Sequence, residues 1–132
     1  MIKRVRDITF SWEEGRYFDL WMAVHTLSGV LIGFTFAFFS FGTFAAYFFT
    51  IFILIMWEVI ERFFFKISET KENRVVDVVV GAIGFAVAYH WSNKVTNDAL
   101  FSLLIFSAII LLAFTLLGWL DFRRRKLERS DL

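Results

Sequence analysis

The stretch ALFSLLIFSAIILLAFTLLGWL, Ala99 to Leu120, contains no ionisable side chain. An α-helix rises ~1.5 Å per residue, so about 20 apolar residues cover the ~30 Å hydrocarbon layer of a bilayer. This run is long enough to cross. Working outward, three further apolar runs stand at about Leu20 to Phe39, Phe44 to Phe65 and Val75 to Trp91. Charges collect at the two ends and between Arg62 and Arg74. In lipid a backbone finds no water to bond, which leaves helices as the element of each run. Hydrophobic residues make up 58% of the chain, and its mean hydropathy of +0.64 agrees. The expectation is an all-α polytopic membrane protein: a single four-transmembrane-helix bundle with no separate soluble module.

Lys and Arg set the orientation. They occupy the N-terminal segment (Lys3, Arg4, Arg6, Arg16), the middle connection (Arg62, Lys66, Lys71, Arg74) and the tail over residues 121–132, from Arg123 to Arg129. The other two connections hold only Lys94. By the positive-inside rule both termini face the cytoplasm of a cell (inner) membrane, as an even number of spans requires. Residues 1–18 read as an interfacial helix, since Ile2, Val5, Ile8 and Trp12 recur at helical spacing before Gly15 ends the pattern. No cleavable signal peptide is expected, because the N-terminus mixes acids with bases. The compact basic cluster of the tail suits anionic membrane lipids as well as topology.

The chain has no Cys and no Pro. Disulfides and thiolate metal sites are excluded, and helices broken by Pro are not expected. In the first span His25, Gly29, Gly33 and Ala37 follow at four-residue steps. In the third, Asp77, Gly81, Gly84 and Ala88 repeat the arrangement. Such small stripes let membrane helices approach closely, which places His25 and Asp77 in the packed interior. Tyr47, Thr50, Leu54, Glu58 and Glu61 share a face of the second span, whereas the fourth span offers no ionisable group and reads as peripheral.

Depth sharpens this pattern. His25 lies ~8 Å and Glu58 ~10 Å from the cytoplasmic boundary, Glu61 ~6 Å and Asp77 ~3 Å, at 1.5 Å per residue. Charge inside a span costs at least ~2.5 kcal/mol per side chain, so these groups are expected to meet. Three readings of the cluster stay open. His25, Glu58 and Asp77 are a ligand set for a divalent metal such as Mg, Mn, Fe or Zn. Adjacent carboxylates could instead share a proton, with His25 as base or relay, and Glu61 belongs to that proton or ligand site. Arg62, four residues after Glu58, and Arg74, one turn before Asp77, could neutralise the acids and fix helix register. His90, beside Trp91 at the far end of the third span, reads as a headgroup contact.

The pattern of a His in the first span, Trp57-Glu58-x-x-Glu61 closing the second, and Glu72-Asn73 before Asp77-x-x-x-Gly81-x-x-Gly84 resembles small VanZ-like bacterial membrane proteins. The resemblance covers about Asp19 to Ala88. It implies a role in the cell envelope, in a family linked to glycopeptide resistance. Small prokaryotic lipid kinases fit less well, because Phe65 stands seven residues after Glu58, where they carry a second Glu. No phosphate loop, HExxH or nucleophile elbow is present, and a net charge of +1 gives nucleic acid no basis as a partner.

Three functions follow as expectations. One is a site for a lipid headgroup, small envelope metabolite or cation, with Arg62 and Arg74 meeting a phosphate. Another is a proton- or ion-coupled channel or carrier built as a homo-oligomer. The last is a structural subunit of a membrane protein complex. The 19 Phe residues allow association through a Phe-rich face, and lipid contact accounts for them equally.

Overall fold

The computed structural model describes residues 7–65 and 69–130. Its long helices are α1 (Trp21–Phe38), α2 (Thr43–Ile60), α3 (Lys71–Trp91) and α4 (Asn97–Ser130). Beyond Ile60 the chain widens into a π-helical turn, Glu61–Phe65, and α3 tightens into a 3₁₀ turn at Ser92–Lys94. With these turns, four helical segments are long and apolar enough to cross a membrane.

Local chemistry sets the element ends. At the end of α1, Ser40 takes a left-handed φ of 55°. Phe41 N donates to Phe36 O (2.9 Å) and Ser40 N to Ala37 O (3.0 Å), the paired bonds of a Schellman motif. The accompanying hydrophobic contact is the stack of Phe36 on Phe41, with centroids 4.7 Å apart. Helix α3 starts at Lys71 rather than Val75 because Thr70 Oγ1 accepts from Asn73 N (3.1 Å), capping a charged first turn. Helix α4 runs past Leu120 through the basic tail to Ser130. Within that extension Asp121 accepts from Arg124 Nη2 (2.9 Å) and Arg125 Nε (2.8 Å). Its 34 residues make it ~51 Å long, well beyond one hydrocarbon layer.

The expected interfacial helix is corrected over residues 7–18, which are not helical. Ile8 and Phe18 form a bridge, with Thr9 N donating to Phe18 O (2.9 Å) and Tyr17 N to Asp7 O (3.0 Å). Trp12 is half-buried against the bundle. It packs edge-on against Trp21 at 5.1 Å and Phe114 at 6.5 Å, and this burial accounts for its apolar spacing. Ile2 and Val5, like Lys66 of the middle connection, fall outside the described residues.

Helices α1 and α3 form the central pair, with α4 against α1 and α2 chiefly against α3. The small stripes make the central contact. A methyl added to Gly29 would collide with the carbonyl oxygen of Gly81, and one on Gly84 with that of Thr26. A methyl on Gly33 would stand 2.7 Å from Phe85 O. Around this seam Phe34, Ala88 and Leu100 are buried on one side, and Ala46, Phe85 and Tyr89 on the other. Phe44, Phe48 and Phe52 of α2 remain exposed, as lipid-facing side chains would be.

Candidate functional site

The Gly seam fixes the separation of α1 and α3, and so the distance between His25 and Asp77. His25 Nε2 lies 3.6 Å from Asp77 Oδ2, while Nδ1, on the other edge of the ring, lies 3.7 Å from Glu58 Oε1 on α2. Three helices thus contribute one group each. The three side chains are 6%, 0% and 9% exposed for His25, Asp77 and Glu58 respectively. Both separations are too long for hydrogen bonds. Two donors each ~2.1 Å from one ion and a tetrahedral angle apart stand ~3.4 Å from each other. Each separation alone is close to that, and since an ion takes only one of the two ring nitrogens, the distance that bears on all three groups is the 4.8 Å within which one ligand atom of each lies.

The carboxylates lack donors. Both oxygens of Asp77, Oε2 of Glu58 and Oε2 of Glu61 are buried without a hydrogen-bond partner. Glu61 Oε1 accepts from Trp57 Nε1 at 2.7 Å. One ligand atom from each of His25, Glu58 and Asp77 lies within 4.8 Å of the others, and an oxygen from each of Glu58, Glu61 and Glu69 does the same. Glu69 sits just before α3, and burial, followed by the charges of Glu61, Glu58, Glu14 and Asp19, pushes its carboxyl up to about 8. Glu14, in the bridged N-terminal segment, is raised to about 7, first by burial and then by Asp19.

The two arginines stand apart from this cluster. Among the described residues neither Arg62 nor Arg74 forms an ion pair with Glu58, Glu61 or Asp77. Arg74 Nη2 donates to the backbone oxygen of Glu69 at 3.2 Å, and the Arg62 guanidinium lies 5.7 Å from the Phe63 ring centre. Both line a cleft of about 380 Å³ between α2 and α3, with Glu58 at one wall and Ile55, Val59, Val75 and Val79 as apolar surface. A second cleft, about 520 Å³, reaches His25 and Glu61 from between α1, α2 and α4.

Sequence reasoning left out the group that ties the N-terminal segment to this end of the bundle. Asp19, 5% exposed, accepts from Trp21 N (2.9 Å) and Gly15 N (3.1 Å) through its two oxygens, and from Asn73 Nδ2 (3.1 Å). An Asp two residues before an apolar helix is a helix-start signal, and that alone could have found it. His90 bonds across the bundle to the Tyr47 hydroxyl, with Nε2 at 2.8 Å, which a headgroup contact did not anticipate. No family model matches the chain, nor does any curated protein or solved structure.

Proposed function

We propose that the protein is an integral membrane protein of the cell (inner) membrane that holds a divalent cation between α1, α2 and α3 through His25, Glu58 and Asp77. The observation that carries this reading is Asp77, fully buried with neither oxygen given a donor. An ionised carboxylate in that position costs several kcal/mol unless a positive charge meets it. Arg62 and Arg74 do not meet it, and the imidazole stands at ligand rather than hydrogen-bond distance. A ligand set of one nitrogen and two carboxylates suits Zn, Fe or Mn, and tolerates Mg.

The positive-inside pattern supports placing this site toward the cytoplasm, with both termini on that side. The likeness of Asp19 to Ala88 to VanZ-like proteins, carried by the same His25, Glu58 and Asp77, supports a role in the envelope. The cleft bearing Arg62 and Arg74 next to Glu58 fits an anionic headgroup or metabolite phosphate approaching the cation from the lipid side. A second reading, a proton shared among the same three groups, is favoured by the position of His25 between two carboxylates.

Elemental analysis of protein purified without chelator and re-equilibrated with Mn or Zn distinguishes the two. The cation reading expects at least one ion per chain, and one fewer in Asp77→Asn than in wild type. Metal-free protein whose Asp77 carboxyl carries a proton in infrared spectra would establish the proton reading in its place.

A further inference from the structure

The carboxylate Glu58 belongs to two ligand groups at once. With His25 and Asp77 it makes the site proposed above, and with Glu61 and Glu69 it makes an all-oxygen trio whose ligand atoms lie within 4.8 Å of one another. We infer that Glu58 bridges two divalent cations, the second held by Glu58, Glu61 and Glu69. This inference rests on the first site being a cation site.

Acidic side chains gathered at a helix end would not carry this by themselves. The independent observation is the state of Glu58, whose side chain is 9% exposed. Its Oε1 faces His25 Nδ1, and its Oε2 is buried with no hydrogen-bond donor. Oε1 is thereby turned toward the imidazole, while Oε2 has no partner in the protein and is left for a second ion. Glu61 repeats the division, with Oε1 bonded to Trp57 Nε1 and Oε2 buried without a partner. Local structure brings the trio together: Glu61 opens the π-helical turn that ends α2, and Glu69 stands at the entrance to α3. Widened turns of this kind recur where a helix must re-aim a functional side chain.

Charge supports two ions rather than one. Glu58, Glu61, Glu69 and Asp77 carry four negative charges when ionised, and two divalent cations balance them with His25 neutral. Carboxylate-bridged pairs with ions ~3.5–4 Å apart are a recurrent arrangement for holding and polarising phosphate oxygens. The cleft lined by Glu58, Arg62 and Arg74 opens beside this pair. Because its donors are all oxygens, the second position selects a hard ion such as Mg²⁺ or Mn²⁺.

The test is Mn²⁺ stoichiometry and electron paramagnetic resonance on the full chain in lipid nanodiscs. Wild type should bind two Mn²⁺ per chain and show the exchange-split spectrum of a coupled pair. Glu69→Gln, which lies outside the helices and keeps the backbone oxygen used by Arg74, should reduce this to one uncoupled ion. Asp77→Asn should also leave one. A single uncoupled ion in wild type, unchanged by Glu69→Gln, would overturn the bridge and leave the first site standing. Two ions in both wild type and Glu69→Gln would place the second ion elsewhere and overturn it as well. No bound ion in wild type would overturn the first site together with the second.

Discussion

Gly29 and Gly81 face each other across α1 and α3 with no room for a side chain, since a methyl on Gly29 would run into the Gly81 carbonyl. The obstacle is backbone, which cannot rotate aside, so Gly29→Ala must push the two helices apart. Overpacking of this kind costs roughly 1–3 kcal/mol. Gly42 provides the contrast, with nothing within 4 Å of an added methyl. In detergent unfolding, Gly29→Ala should lose stability in that range and bind metal more weakly, because the same seam spaces His25 from Asp77. Gly42→Ala should change neither. Equal effects at both positions would contradict the central packing of α1 on α3.

Asp77→Asn separates the stability of the bundle from the affinity of the site. In chelator, Asn replaces a buried carboxylate that has no donor with a neutral side chain of the same shape, so the variant should melt at or above the wild-type temperature. Added Mn²⁺ should then raise the wild-type Tm by more than that of the variant, which has lost the ion held by His25 and Asp77. Binding to the folded state alone contributes about 2.7 kcal/mol at a hundred times Kd. Neutralising Arg62 or Arg74 should not rescue either property, because neither guanidinium pairs with Glu58 or Asp77. Loss of stability in Asp77→Asn that is repaired by a change at Arg74 would restore the register-fixing salt bridge instead.

The bundle and the level of its polar cluster were legible in the sequence because both depend on counting. A rise of 1.5 Å per residue puts His25 and Glu58 at nearly one depth whatever the side chains do, but it sets Asp77 ~7 Å shallower than Glu58, because the count starts the third span at Val75 whereas α3 begins a turn earlier at Lys71. Pairing was not legible. Four-residue spacing would place Arg62 over Glu58 on an unbroken α-helix, but the π-helical turn starting at Glu61 changes the angular step, and Arg62 is exposed. The N-terminal segment misled for a related reason. Ile8 and Trp12 fit a helical period, yet the burial of Trp12 comes from Trp21 and Phe114, residues distant in sequence or on another element. Hydropathy likewise marks where lipid would end near Leu120, not where α4 ends.

Ser40 is the non-glycine residue among those described that has a positive φ, at 55°. It occupies the left-handed position of the Schellman motif, where a Cβ is strained and Gly is not. Ser40→Gly should therefore stabilise the α1–α2 hairpin by about 0.5–1 kcal/mol, despite the added freedom of the unfolded chain. Thermal unfolding in a fixed detergent measures it. A lowered Tm would mean that the Ser40 side chain contributes more than its backbone strain costs.

Orientation has its own test, since the alternating Lys and Arg counts predict that both termini lie on the cytoplasmic side. A reporter fused after Lys94 should be active only outside the membrane, and one fused after Arg125 only within the cytoplasm. Both reporters on the same side would exclude a crossing by α4, and an external tail with a cytoplasmic Lys94 fusion would invert the orientation.

Glu14 should make the stability of the N-terminal segment depend on pH. Burial, with Asp19 and Glu61 adding to it and Arg125 opposing, raises its carboxyl from 4.5 to about 7. Between those values the folded protein holds a proton that the unfolded chain has released, so stability falls as pH rises through this window. The contribution is intact below about pH 4.5 and fully lost above about pH 7. Glu14→Gln cannot ionise and escapes the loss. Measured in chelator to remove metal effects, the Tm of Glu14→Gln minus that of wild type should be flat below about pH 4.5. It should climb through the window and level off above about pH 7. Glu69, raised to about 8, titrates in both proteins and largely drops out of the difference. A difference that declines with rising pH would show that ionised Glu14 is stabilised by Arg125 more than burial penalises it.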